Sequence, residues 1–165
     1  MNIDDAAKIL SLDGEINPTI VKKAYRQACS KFHPDKNPAG EEMMKLVNEA
    51  YETLKSHTGN VENGSDNYDE SLFEALNAII NLTGLDIEIC GAWVWVSGNT
   101  IEHKEEIKAA GFKWAKVKKM WFFRPANYKS LGRGKWDMKK IRGQHGTQSV
   151  RNKRPKKLKD EAISL

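Results

Sequence analysis

The sequence predicts an all-α helical hairpin with a short leading helix, then a small α+β unit, then a basic tail. Three observations carry this reading. Apolar residues of the first third recur at intervals of three and four, the period of a helix with one buried face. The run Leu85–Val96 is rich in β-branched and aromatic residues and closes at Ser97-Gly98-Asn99, as strands do. Charge is polarised along the chain: residues 1–56 hold 8 Lys/Arg against 9 Asp/Glu, residues 57–111 hold 2 against 10, and residues 112–165 hold 17 against 3. A chain of 165 residues divided this way reads as modular rather than as one uniform globule.

The first third contains the helices. Asp4–Leu10 forms a short leading helix through Ala6, Ala7, Ile9 and Leu10, and Gly14 breaks it. Asn17 is a good N-cap and Pro18 fits the first helical turn, so a second helix is expected from Pro18 to about Phe32. Val21, Ala24, Tyr25, Ala28 and Phe32 line its apolar face, with Lys22, Lys23 and Arg26 on the other side. Pro34 biases His33 out of the helical region and ends the segment. A third helix begins near Ala39–Glu41, with Met43, Val47, Ala50 and Leu54 in one stripe. Tyr25, Phe32, Val47, Tyr51 and Leu54 are the expected core of the pair.

Three segments carry a resemblance. They are Lys22-Lys23-Ala24-Tyr25-Arg26, Lys31-Phe32-His33-Pro34-Asp35-Lys36-Asn37-Pro38 and Asn48-Glu49-Ala50-Tyr51-Glu52-Thr53-Leu54. Together they resemble the J domain of the DnaJ co-chaperone family. The resemblance implies docking on a DnaK-type ATPase chaperone and stimulation of its ATP hydrolysis. It maps the family's invariant loop onto His33, Pro34 and Asp35, and its basic docking face onto Lys22, Lys23 and Arg26. Many family members continue into a fourth basic helix; here Leu54 is followed by Lys55-Ser56-His57-Thr58-Gly59-Asn60, which reads as an exit, so that helix's share of docking does not carry over.

Residues 57–69 read as an acidic, polar linker. Residues 70–130 read as a small α-β-α-β module: a helix over about 70–82 ended by Thr83-Gly84, the β-rich run, a short helix over 102–110 capped by Gly111, and a hairpin over 113–123 turning at 116–119. The half containing Gly111-Phe112 and Trp121-Phe122 is similar to small modules appended to DNA-processing and phage-associated proteins. The arrangement as a whole looks like prophage J-domain proteins. Residues 131–165 form the basic tail, where Trp136, Met138 and Ile141 could anchor a short helix and disorder is expected beyond about 147.

Aromatics beside cations suggest nucleic acid, with rings stacking on bases and lysines holding phosphates. The candidate contacts are Lys113, Lys116, Lys118, Lys119, Trp121 and Arg124, then Arg133, Lys139, Lys140 and Arg142. Trp93 and Trp95 share a strand face, and in so small a unit the tryptophans read more naturally as core.

No constellation supports intrinsic catalysis. His33, His57, His103 and His145 are scattered, and the chain has no Gly-rich phosphate loop or nucleophile elbow. No cofactor or metal is expected. Cys29 and Cys90 cannot form a disulfide framework or a zinc ribbon. No apolar run approaches the roughly 20 residues that span a membrane, and the acidic start Met1-Asn2-Ile3-Asp4-Asp5 is unlike a secretory signal, so a cytoplasmic setting without membrane contact is expected. The reading is a co-chaperone that directs a DnaK-type ATPase to a client protein or protein–DNA complex through its C-terminal module. The alternative is a DNA- or RNA-binding protein that uses the helical hairpin as scaffold.

Overall fold

The structure, a computed structural model, describes residues 1–61, 68–126 and 135–150. Its first half is helical. α1 (Ile3–Ile9) is capped by the Asn2 side chain, which accepts from the Asp5 amide. α2 (Pro18–Lys31) is capped by Asn17, whose side chain accepts from the amides of Thr19 and Ile20, with Pro18 just inside. α3 (Gly40–Leu54) runs back against α2 and α1. Phe32, Met43, Val47, Ala50 and Leu54 are fully buried. Tyr25 and Tyr51 are half-buried and stack at 4.4 Å, and the Tyr25 hydroxyl donates to Asn48 Oδ1. They form the rim of this core rather than its centre.

Two short strands tie the hairpin's ends together. β1 (Gly14–Ile16) pairs antiparallel with β2 (Gly59–Val61), with Ile16 opposite Gly59. The segment read as a linker therefore supplies a strand, because Val61 finds a buried place beside α1. Its last residues belong to α4 (Tyr68–Ile79), where Tyr68 and Asp69 are buried. Residues 62–67 lie outside the described residues.

The second half is a five-stranded antiparallel sheet in the order β5-β6-β4-β3-β7. The run read as one β-rich stretch is a hairpin, β3 (Leu85–Cys90) and β4 (Trp93–Gly98), turning at Gly91-Ala92. Gly91 is required twice over: its φ is +59°, and a Cβ there would strike the Asp5 carboxylate. α5 (Lys104–Ala109) and the hairpin β5 (Lys113–Ala115), β6 (Met120–Phe123) lie where the sequence puts them. α6 (Met138–His145), capped by Asp137, occupies the basic tail. Beyond it β7 (Gln148–Val150) joins the sheet beside β3, so residues 148–150 are ordered where disorder is expected. Val150 explains this, since it lies opposite Ile87 and is buried. Residues 151–165 lie outside the described residues.

Strand register sorts the sheet into two faces. Ile87, Ile89, Val94, Val96, Trp121 and Phe123 point to the helical side, while Glu88, Trp93, Trp95 and Phe122 point away from it. The helical side merges with the core of the hairpin, and one cluster of buried side chains runs from Ala6 to Val150. Phe32 packs on Phe73 of α4 at 4.9 Å, and Tyr68 donates to the Ala92 carbonyl. His145 Nδ1 lies 2.8 Å from Asp5 Oδ2, and Gln148 donates to Glu42. The helical hairpin and the sheet unit thus share one interior. No helix among the described residues is long and apolar enough to cross a membrane.

Candidate functional site

The loop between α2 and α3 is built by what flanks it. Phe32, the C-cap residue of α2, is fully buried between the helices and Phe73, which pins the loop's start. At the other end Ala39 is buried, and its amide donates to Asn77 Oδ1 of α4 at 3.0 Å. Between these anchors His33, Pro34, Asp35 and Lys36 are all exposed. The Lys36 amide donates to the His33 carbonyl, closing a turn. The Asp35 amide donates to His33 Nδ1 at 3.3 Å, and the two side chains approach to 3.4 Å. Asp35 is 87% exposed and His33 53%, so the pair is presented to solvent rather than folded into a pocket. A carboxylate presented in that way is available to an ion pair with another molecule.

Gly40 is a support that sequence reasoning missed. A Cβ at this position would lie 2.6 Å from Pro34 Cα and 2.9 Å from the His33 carbonyl oxygen. The loop folds tightly over the first turn of α3, and only glycine leaves room for it. An Ala-Gly pair opening a helix after Asn37-Pro38 was the available signal. Asn77, 38 residues beyond Ala39 and on α4, gave none.

Lys22, Lys23 and Arg26 are exposed together on α2, and none of them makes a salt bridge among the described residues. Lys31, one turn nearer the loop, is different. It bridges Asp69 and Glu70 of α4 at 2.9 and 2.7 Å. Burial alone would lower its pKa, but the bonds from Glu70 and Asp69 outweigh that and hold it above the usual lysine value. A cavity of about 330 Å³ lies beside this bridge, lined by residues that include Leu10, Ile20, Lys23 and Asp69.

The C-terminal candidates with described positions fall in two groups, one about the β5–β6 hairpin and one on α6. Lys113, Lys116, Lys119 and Arg124 are exposed along β5, the β5–β6 turn and the end of β6, and Lys118 is half-buried with its ammonium 5.5 Å from the Trp95 ring. Trp121 points to the helical side and is buried at 7% exposure, which removes it as a stacking platform. Lys139 is exposed on α6, and Lys140 lies 4.5 Å from the Trp136 ring. Arg142 is held by Glu88, with Nη2 2.7 Å from Oε2. That bond, against the opposing effect of burial and with help from Thr147, keeps Glu88 below its ordinary pKa. Arg133 lies outside the described residues. No group of three or more His, Cys, Asp or Glu placed to hold a metal occurs among the described residues.

A DnaJ domain model matches residues 5–60. Chaperone protein DnaJ of Lactiplantibacillus plantarum is 48% identical over 52 residues, 30% of this chain and 14% of that protein. DnaJ homolog subfamily A member 4 of Homo sapiens is 48% identical over 46 residues, 28% of this chain and 12% of that protein. Chaperone protein DnaJ of Paramagnetospirillum magneticum is 40% identical over 58 residues, 33% of this chain and 15% of that protein. The chain thus spans about a seventh of the length of the curated relatives it matches. No solved structure matches it. The match begins in α1 and ends in β2, taking in both long helices and the loop they carry: residues 5–60 are a DnaJ domain.

Proposed function

We propose that the chain is a non-enzymatic co-chaperone that docks on a DnaK-type ATPase and stimulates its ATP hydrolysis. One observation carries the reading most directly: His33-Pro34-Asp35 stands exposed between two buried anchors, at the end of the helix that also exposes Lys22, Lys23 and Arg26. The exposed cations would steer towards an acidic patch on the ATPase, raising the rate of encounter. Asp35 would then compete for a cation inside the partner, disturbing a contact that holds ATP turnover down. The sheet unit, fused to the hairpin through a common core, would hold a client protein or a protein–DNA complex at a fixed orientation to the docked ATPase.

The test is single-turnover ATP hydrolysis by a DnaK-type chaperone with increasing amounts of the full chain. Stimulation that saturates, and that weakens as salt rises, is expected. Absence of stimulation at any concentration would reject the proposal. Replacing Lys22, Lys23 and Arg26 with Gln should raise the concentration needed for half-stimulation, leaving the plateau less affected than Asp35→Asn does.

A further inference from the structure

The face of the sheet turned away from the helices is aromatic at its centre. Trp93, Trp95 and Phe122 stack side by side, with centroids 5.7–5.8 Å apart and Trp93 tilted only 16° from Trp95 and 25° from Phe122. Trp95 is buried and backs the group, while Trp93 and Phe122 are half-buried. The Trp95 indole N–H is buried and finds no acceptor among the described residues, a donor that folding leaves unsatisfied. Trp95 is packed as a core residue, as the sequence leads one to expect, whereas Trp93 and Phe122 beside it keep part of their rings exposed on the face turned from the helices.

Cations surround the rings. Arg124 lies 5.8 Å from the Trp93 centroid and 5.9 Å from that of Phe122, and Lys118 lies over Trp95. Lys113 is register partner to Phe122 and so shares its face. Between Glu106 and Asp137 the sequence has nine Lys/Arg and no acidic residue. Glu88, an acidic side chain on the same face, is neutralised by Arg142 at the β3 side of the sheet.

We infer that this face binds single-stranded nucleic acid, with bases stacking on Trp93 and Phe122 and phosphates held by Lys113, Lys118 and Arg124. Flat half-exposed rings favour unpaired bases, which duplexes do not offer, and the surrounding charge favours a polyanion. The long Lys118 side chain, lying over Trp95, can turn its ammonium towards a phosphate of a bound strand. This inference is independent of docking on a DnaK-type ATPase, since it uses no residue of the loop or of α2.

Fluorescence anisotropy of the full chain with a labelled oligothymidylate of about 16 nucleotides tests it, with a duplex of equal length beside it. Binding with a dissociation constant of roughly micromolar order at low salt is expected, with a slope of log K on log salt of about −0.7 per phosphate contact. Lys113→Gln with Lys116→Gln and Lys119→Gln should make that slope shallower. Phe122→Leu, and separately Trp93→Leu, should weaken single-strand binding about tenfold with an unchanged slope and unchanged duplex binding. Near-UV circular dichroism establishes that each variant is folded. No binding at low salt, duplex bound as tightly as single strand, or full affinity in both ring variants would each overturn the inference.

Discussion

A Cβ on Gly40 would come within 2.6 Å of Pro34, so the exposure of His33 and Asp35 depends on a residue that does no chemistry itself. Gly40→Ala should cost about 1–3 kcal/mol, as overpacking does, and should lower ATPase stimulation even where the helices remain intact. Urea unfolding and the stimulation assay, run on one preparation, separate the two effects. Cysteine chemistry offers a second check at this scale. Burial, followed by the nearby Glu88 charge, pushes the Cys90 thiol up to about 11, whereas Cys29 is half-buried on α2. Maleimide at neutral pH should label Cys29 and leave Cys90 unlabelled until the chain unfolds; equal labelling of both would place Cys90 outside the core. His33, Pro34 and Asp35 were legible because their context is local, two helices and a proline. For Trp121 the sequence offers both a core and a stacking role, and strand register, which composition does not record, turns it to the buried side and bears out the core reading.

Phe32 shows how one position joins two elements at a distance. It is fully buried, closes α2, and meets Phe73 of α4, which follows it by some forty residues. Phe32→Ala should destabilise the chain by about 3–5 kcal/mol, the range for large aromatic truncations in cores. A loss under about 1 kcal/mol by chemical denaturation would mean that α2, α3 and α4 do not pack this way. α6 and β7 answer to acid instead. The Arg142 guanidinium, outweighing burial, holds the Glu88 carboxyl below its ordinary value of 4.5. A carboxyl with a lowered folded-state pKa contributes stability above its unfolded value and loses it as pH falls through the folded value. The α6–β3 contact should therefore weaken below about pH 4.5, seen as smaller amide protection factors in β7 once the intrinsic exchange rate at each pH is divided out, and Arg142→Ala should remove that pH dependence. Helix α2 was readable from its cap and its stripe. Strand β7 was not, because three residues within a basic tail acquire their structure only from the edge they pair with.

Across the molecule, the division into separate modules gives way to a shared interior. Charge polarity along the sequence suggested independent units, but charge lies on the surface and says little about which apolar faces meet. Asp5 of α1 touches the β3–β4 turn and His145, Glu42 of α3 accepts from Gln148, and α4 spans both halves. Thermal unfolding should accordingly show one cooperative transition by far-UV circular dichroism and tryptophan fluorescence alike. Two well-separated transitions would contradict the shared core. A chain ending at Val61 would expose Phe32 and lose the Asn77 bond to the loop, so residues 1–61 alone should stimulate the ATPase less than the full chain does.

The central claim is that the exposed His33-Pro34-Asp35 loop acts on the ATP cycle of a DnaK-type chaperone. Asp35→Asn tests it most directly, because the side chain is 87% exposed and the substitution changes its charge with almost no change in shape. In single-turnover hydrolysis, the full wild-type chain should accelerate ATP cleavage, and the folded Asp35→Asn chain should leave it at the basal rate. Equal acceleration by the two chains would contradict the account.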